Sequence, residues 1–228
     1  MSAPRCWLAA IGLMLVQFAG AASLDLNEIL ARMDREAASF RDMTAQLTKV
    51  SYTAVLKDSS QESGAIWMKR ASGRAMMKVE ISRPEPRAVA LEGATAQIYY
   101  PKIQTVQIYD LGKNRALIDQ FSLLGFGSRR RDLEKNYSIR LGGPETLDGV
   151  RTLRLELIPR SAQVREQVEK IELWIPEEGG PPLQQRFWQP GGDYSLVRYR
   201  DLRVNVGLTD QDCRLKLPPG VRKEYPQK

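Results

Sequence analysis

The chain has 228 residues, with 34 Lys and Arg against 27 Asp and Glu, no histidine and two cysteines. A formal charge of +7 makes it basic. The absence of histidine excludes a Ser-His-Asp triad, a Cys-His dyad, a histidine general base and a histidine metal cluster. The sequence also holds no G-x-S-x-G, S-x-x-K or Walker loop. Paired carboxylates such as Asp132/Glu134 and Glu177/Glu178 fall in solvated stretches, not in the cleft that glycosidase chemistry needs. The composition therefore argues against an enzyme, and no metal or cofactor is expected.

Residues 1–22 read as a secretory signal peptide. One charge, Arg5, precedes the apolar run 6–18, and Ala19-Gly20-Ala21-Ala22 supplies small residues for cleavage. The run falls short of the ~20 apolar residues of a membrane-spanning helix. No cysteine follows it to accept a lipid anchor, since Cys6 lies ahead of the run. The expected mature protein, residues 23–228, is thus a single exported, soluble domain whose only cysteine is Cys213. A lone cysteine cannot cross-link its own chain, so stability rests on a hydrophobic core, for which this length suffices. Loss of Arg5 leaves the mature chain basic. Export takes nucleic acid off the list of expected partners and leaves anionic membrane or an acidic protein surface.

In chain order, residues 25–41 predict a helix, because Leu26, Ile29, Leu30, Met33, Ala37 and Phe40 recur at helical spacing. Asp25 followed by Glu28 is a capping-box start. Residues 44–57, 63–70, 74–82, 87–92, 95–100 and 103–110 then read as strands joined by short turns, an antiparallel meander. Residues 113–135 interrupt them with a stripe of Leu117, Ile118, Phe121 and Leu124. Gly125-Phe126-Gly127 ends that stripe, and Arg129-Arg130-Arg131 opens a charged helical piece. Strand periodicity resumes near Tyr137. It continues through Leu153, Leu155 and Leu157, then Ile171, Leu173 and Ile175. Pro190-Gly191-Gly192-Asp193 joins 183–189 to 194–205 as a hairpin. A last strand is expected through Leu215 and Leu217.

The fold class is mainly β: about 11–12 antiparallel strands curled into an unclosed barrel, with an N-terminal helix and a central helical lid. Within SGAIWMKRASGRAMMKVEIS, residues 63–82, the two strands turn at Ala71-Ser72-Gly73. Alternation puts Ile66, Met68 and Arg70 on one face and Ala65, Trp67 and Lys69 on the other. A concave face enclosing apolar space, plugged by the small helices, accounts for grease on both sides.

Gly64-Ala65-Ile66-Trp67-Met68-Lys69-Arg70 resembles the G-x-[LI]-W-x-[KR]-R segment of LolA, the periplasmic outer-membrane lipoprotein carrier family. ALEGATAQIYYPKIQTVQIYDL is similar to that family's strand, turn and Tyr-x-Pro strand start. LIDQFSLLGFG falls where the family has lid helices, and LKLPPGV resembles its closing strand. The resemblance covers most of the mature chain and looks closest to the lipoprotein-sorting branch. Ala71 replaces the proline that often follows the arginine, RAMMKVEIS is less tryptophan-rich, and the lid segment is short.

The resemblance implies a periplasmic carrier that shelters acyl chains of lipoproteins, or another amphiphilic lipid, and delivers them towards the outer membrane. It implies an inner-membrane transporter as donor and an outer-membrane acceptor, with the carrier itself a monomer. Arg70 maps onto the family's lid-latching arginine. The candidates for the lipid cavity are Ile66, Met68, Met77, Val79, Leu117, Ile118, Phe121 and Leu124, with Gly125 and Gly127 as the lid hinge. Plainer roles stand beside these. Arg70 reads equally as a strand-end cation, residues 117–124 as core packing, and Met68, Met76 and Met77 as filler. Arg129-Arg130-Arg131 reads as a solvated run, with a docking patch for anionic headgroups as the other option. The alternative function is a lipid-sensing regulatory domain that binds a periplasmic partner protein; a secreted enzyme on a β-barrel scaffold is the third.

Overall fold

The computed structural model describes residues 25–71 and 74–227. The expected signal peptide and the turn tip Ser72-Gly73 lie outside them.

Helix α1, Leu26–Ser39, starts on the expected capping box: the Glu28 amide donates to Asp25 Oδ1 at 2.7 Å, and the Asp25 amide donates to Glu28 Oε2 at 3.3 Å. Its buried stripe is Ile29, Leu30, Met33 and Ala37. Six strands follow: β1 Asp42–Thr53, β2 Asp58–Ala71, β3 Arg74–Arg83, β4 Arg87–Glu92, β5 Thr95–Tyr100 and β6 Thr105–Asp110. The insertion folds as α2 Arg115–Ser122 and α3 Arg130–Asn136. The chain then runs through β7 Tyr137–Leu147, β8 Val150–Pro159, a short α4 Ala162–Arg165, β9 Lys170–Pro176, β10 Gln184–Trp188, β11 Tyr194–Val204 and β12 Arg222–Glu224.

All twelve strands among the described residues form one sheet in the order β12-β6-β5-β4-β3-β2-β1-β11-β10-β9-β8-β7. Two meanders, β1–β6 and β7–β11, meet where β1 pairs with β11. Their edges, β12 and β7, do not pair, so the sheet is an open half-barrel with helices on its inner side. Every pairing is antiparallel except β12 with β6.

One strand falls elsewhere than expected. Leu215 and Leu217 lie outside any strand, and the closing strand is Arg222–Glu224. Pro218 and Pro219 lack the amide donors that a ladder needs. The preceding 3-10 turn, Asp210–Cys213, takes the chain across the outer face of β2 and β3 instead. There Lys69 Nζ donates to Asp210 Oδ1 at 2.8 Å and to the Leu208 carbonyl at 3.1 Å. Lys78 Nζ stands 4.2 Å from the centre of the Trp67 ring. Cys213 is fully buried beneath this segment, and burial pushes its thiol up to about 11. The second greasy face of β2 is therefore covered by the C-terminal segment.

Inside the sheet the core falls into two clusters. One packs α1 and Leu133 of α3 on Leu153, Leu155, Leu157, Ile171 and Leu173 of β8 and β9. The other gathers Phe40, Met43, Leu47, Ile66 and Met68 with Leu123 and Phe126 of the insertion.

Gly64 sits at a register shift between β2 and β3, where a Cβ would run into the Glu80 carbonyl and come within 2.9 Å of the Ile81 Cα. Replacing Gly64 with Val is expected to lower stability by about 1–3 kcal/mol, the usual cost of overpacking, read as a lower midpoint in denaturant. An unchanged midpoint would mean that the bulge yields freely.

Candidate functional site

The concave face follows from alternation along paired strands. Met68 stands opposite Met43 on β1 and Met77 on β3; Ile66 stands opposite Ala45 and Val79. These side chains point inward together. Ile66, Met68, Met77 and Val79 line a cavity of about 350 Å³ with Leu47, Ile81, Val89, Phe187, Val197 and Tyr199. Phe121 and Phe126 of the insertion complete it. Phe121 meets Phe187 edge-on at 6.2 Å, and Phe126 meets Tyr199 edge-on at 5.4 Å. The volume lies within the ~300–1,000 Å³ of ordinary small-molecule sites.

The expected lining residues separate into two groups. Ile66, Met68, Met77, Val79 and Phe121 line the cavity. Leu124 is fully buried in the α1–β9 cluster. Leu117 and Ile118 are half-buried on α2, off the cavity lining.

Arg70 continues the inward row of Ile66 and Met68. Its Nη1 donates to the Ala37 carbonyl in the last turn of α1 at 3.1 Å, and its Nη2 donates to the Gly127 carbonyl. The guanidinium carbon lies 5.9 Å from the centre of the Phe40 ring. Burial lowers the pKa of Arg70 below its ordinary value, and the nearby Arg129 charge adds to the shift. Gly125 has φ +80°, a left-handed conformation that favours glycine. Gly127 is needed for a different reason: a Cβ there would collide with the Arg70 guanidinium.

Further polar ties hold the insertion. On α2, Arg115 and Asp119 form a bidentate pair at 2.6 and 3.0 Å. Asp119 Oδ1 accepts from the Ala75 amide at 3.0 Å, and Arg115 donates to the Ala75 carbonyl at 2.5 Å. β4 pairs with β3 only from Met77 onward, so these side chains satisfy backbone groups left beyond the end of its ladder. Buried Gln185 on β10 donates to the Leu124 carbonyl at 2.7 Å and accepts from the Tyr199 hydroxyl at 2.9 Å. Gln120 donates to the Tyr137 hydroxyl at 2.6 Å.

Sequence reasoning missed Arg115, Asp119 and Gln185. The i,i+4 spacing of the first two was a usable signal, as was a glutamine on the inward side of a strand. In the run 129–131, Arg130 is engaged: its amide donates to Asp34 of α1 and its side chain pairs with Glu134 at 2.8 Å. Arg129 and Arg131 are exposed.

Among the described residues no helix is long and apolar enough to cross a membrane, and no cluster of three or more His, Cys, Asp or Glu side chains could hold a metal ion. The fold and site thus define an open β half-barrel whose helical insertion covers an apolar cavity. No protein-family profile and no curated protein matches the chain. Among solved structures it is similar to an uncharacterized conserved protein from Thermus thermophilus, at TM-score 0.54 and 14% identity over 87% of this chain and 98% of that one. It is similar to MucB at TM-score 0.51 and 17% identity, over 86% of this chain but only 65% of MucB. The LolA superfamily protein NE2245 from Nitrosomonas europaea aligns over 85% of this chain and 99% of that one, at 14% identity and TM-score 0.41. At these identities the likeness is one of fold.

Replacing Asp119 with Ala would strip the buried Arg115 of its counter-charge and leave the Ala75 amide without its acceptor. A loss of about 3–5 kcal/mol is expected, together with faster amide exchange across residues 115–127 and unchanged protection in β8 and β9. Uniform loss of protection would show that α2 is part of the global core and not a separable cover.

Proposed function

We propose that this protein is a periplasmic carrier: it shelters acyl chains of lipoproteins or other amphiphilic lipids in the concave cavity and delivers them towards the outer membrane. In this reading the signal peptide is cleaved, an inner-membrane transporter loads the carrier and an outer-membrane acceptor unloads it. The observation that carries the proposal is an apolar cavity whose cover is fastened by side-chain hydrogen bonds to backbone carbonyls. The sequence resemblance supports the same reading.

Burying an acyl chain gains ~0.8 kcal/mol per methylene, so about ten methylenes are worth roughly 8 kcal/mol. A carrier with that affinity and nothing opposing it would not release its load. The insertion supplies the opposition. Phe121 and Phe126 occupy the wall that cargo would contact, and Arg70 acts as the latch for the closed, empty state. Its charged hydrogen bonds are worth ~1.5–3 kcal/mol each. Gly125 and Gly127 serve as the hinge.

Native mass spectrometry of protein purified from the periplasm, with titration of a fluorescent fatty acid, tests the proposal. Bound lipid or acylated peptide is expected; protein always recovered empty and unable to bind the probe removes it. Replacing Phe121 with Glu should weaken probe retention by about tenfold or more, and unchanged affinity would take Phe121 out of the lining. Replacing Arg70 with Leu removes the latch, so the variant should load cargo at least as well as wild type but pass it to acceptor vesicles more slowly. Equal transfer rates would mean that Arg70 only anchors α1 to the sheet.

A further inference from the structure

The cavity wall carries one ionic group. Lys49 on β1, Glu62 on β2 and Arg87 on β4 line the same space as Ile66, Met68 and Phe121. Lys49 and Glu62 are register partners, and Arg87 faces Ile81 across the next strand pair. Arg87 Nη2 lies 2.6 Å from Glu62 Oε1, whereas Lys49 Nζ lies 3.8 Å from Glu62 Oε2. Two cations thus share one carboxylate. Lys49, at 3.8 Å, has an ion pair but no hydrogen bond among the described residues. The Lys49 side chain is 38% exposed, so this group stands at a water-reached end of the cavity, and its surplus charge is positive.

The position of this group matters as much as its sign. Glu62 and Met68 lie six residues apart on β2, a distance of ~20 Å at ~3.3 Å per residue. Half of a ~30 Å hydrocarbon core, the depth that one acyl chain spans, is ~15 Å. The wall between Glu62 and Met68 is apolar on the inward side at Gly64 and Ile66, with Val79 and Ile81 beside them. The far end is closed by Arg70, Phe40 and Gly127. One end of the space suits a charged head, and the remainder suits a single tail.

We infer that the cavity selects anionic amphiphiles, with a carboxylate or phosphate head held by Lys49 and Arg87 and the tail running along Ile66 and Met68 towards the lid. Glu62 is then a competing internal anion that holds the two cations in place while the cavity is empty. The inference rests on the carrier reading and narrows it to a ligand class.

The test uses the mature chain and a fluorescent polyene fatty acid beside its uncharged methyl ester, at about pH 8, well above the ordinary carboxylate pKa. The wild type is expected to bind the acid about tenfold tighter than the ester. Lys49→Gln should erase that preference and leave ester binding unchanged, and Lys49→Arg should restore it. Glu62→Gln should strengthen binding of the acid alone, an opposite shift that a merely structural role would not produce. Equal binding of acid and ester by the wild type overturns the head site and leaves the carrier proposal standing; failure to bind either probe removes both. Displacement of the probe by a long-chain alkyl phosphate and by an unlabelled fatty acid then separates the two head chemistries, the tighter competitor naming the head.

Discussion

The guanidinium of Arg70 ties together three parts of the molecule. It belongs to β2, it takes a carbonyl from the end of α1, and it takes a second carbonyl from the turn after α2. The last carbonyls of a helix have no partner within the helix and carry a partial negative charge. α1 has no basic residue in its own last turn, so Arg70 provides that charge from the sheet. An arginine on the apolar side of a sheet is costly unless such acceptors receive it. Here the acceptors are the Ala37 carbonyl of α1 and the Gly127 carbonyl of the insertion, and parting either from the guanidinium would leave the charge incompletely paired.

In the proposed carrier, that arrangement would reconcile binding with release. A fully packed interior would give greater stability but leave no space for a ligand, while an uncovered apolar trough of this depth would associate with other molecules. The insertion lies between these limits. Its apolar residues Leu123 and Phe126 join the core, yet it is also fastened by polar side chains from the sheet: Arg70 and Gln185 donate to its carbonyls, and the Tyr137 hydroxyl at the start of β7 accepts from its Gln120 side chain. Hydrogen bonds of this kind contribute ~0.5–1.5 kcal/mol net when neutral and more when charged. Several together are comparable with the burial of a single acyl chain. Neither the closed lid nor the cargo then dominates by a wide margin.

Much of the frame was legible in the sequence because it depends on local pattern. β4 and β5 occupy the expected residues 87–92 and 95–100, bounded by prolines and a turn glycine. The capping box at Asp25 and Glu28 and the inward row of Ile66, Met68 and Arg70 needed only spacing to be found. β2 extends back to Asp58, further than expected, because residues 58–62 are polar and are held as strand by pairing with Thr53 and its neighbours on β1, a tertiary effect that propensity does not carry. Leu215 and Leu217 alternate like a strand, but Pro218 and Pro219 follow them without amide donors and the turn before them packs on β2 and β3 instead of extending the sheet. The ties made by Arg115, Asp119 and Gln185 were hidden for a related reason. Their partners are carbonyls and amides of Ala75 and Leu124, and a backbone group is the same in every sequence.

The outer face shows why the apolar space is confined to the inside. On β9 and β10 the outward side carries a cluster of charged and aromatic residues. Glu172, almost fully buried, receives Lys170 at 3.2 Å, Arg186 at 3.3 Å and the Trp188 indole N–H at 2.7 Å. Arg186 in turn lies 5.2 Å from the centre of the Trp174 ring and 5.3 Å from that of Trp188. Cation–π contacts cover the faces of rings that would otherwise be open to solvent. On β3, Lys78 does the same work for the Trp67 ring, while the C-terminal segment takes Lys69 through Asp210. With both stretches of the convex surface occupied in this way, the apolar space lined by Ile66, Met68, Met77 and Val79 lies on the concave face. Polarity sorting across one sheet, set by alternation along each strand, produces the cavity, and the helical insertion completes its wall.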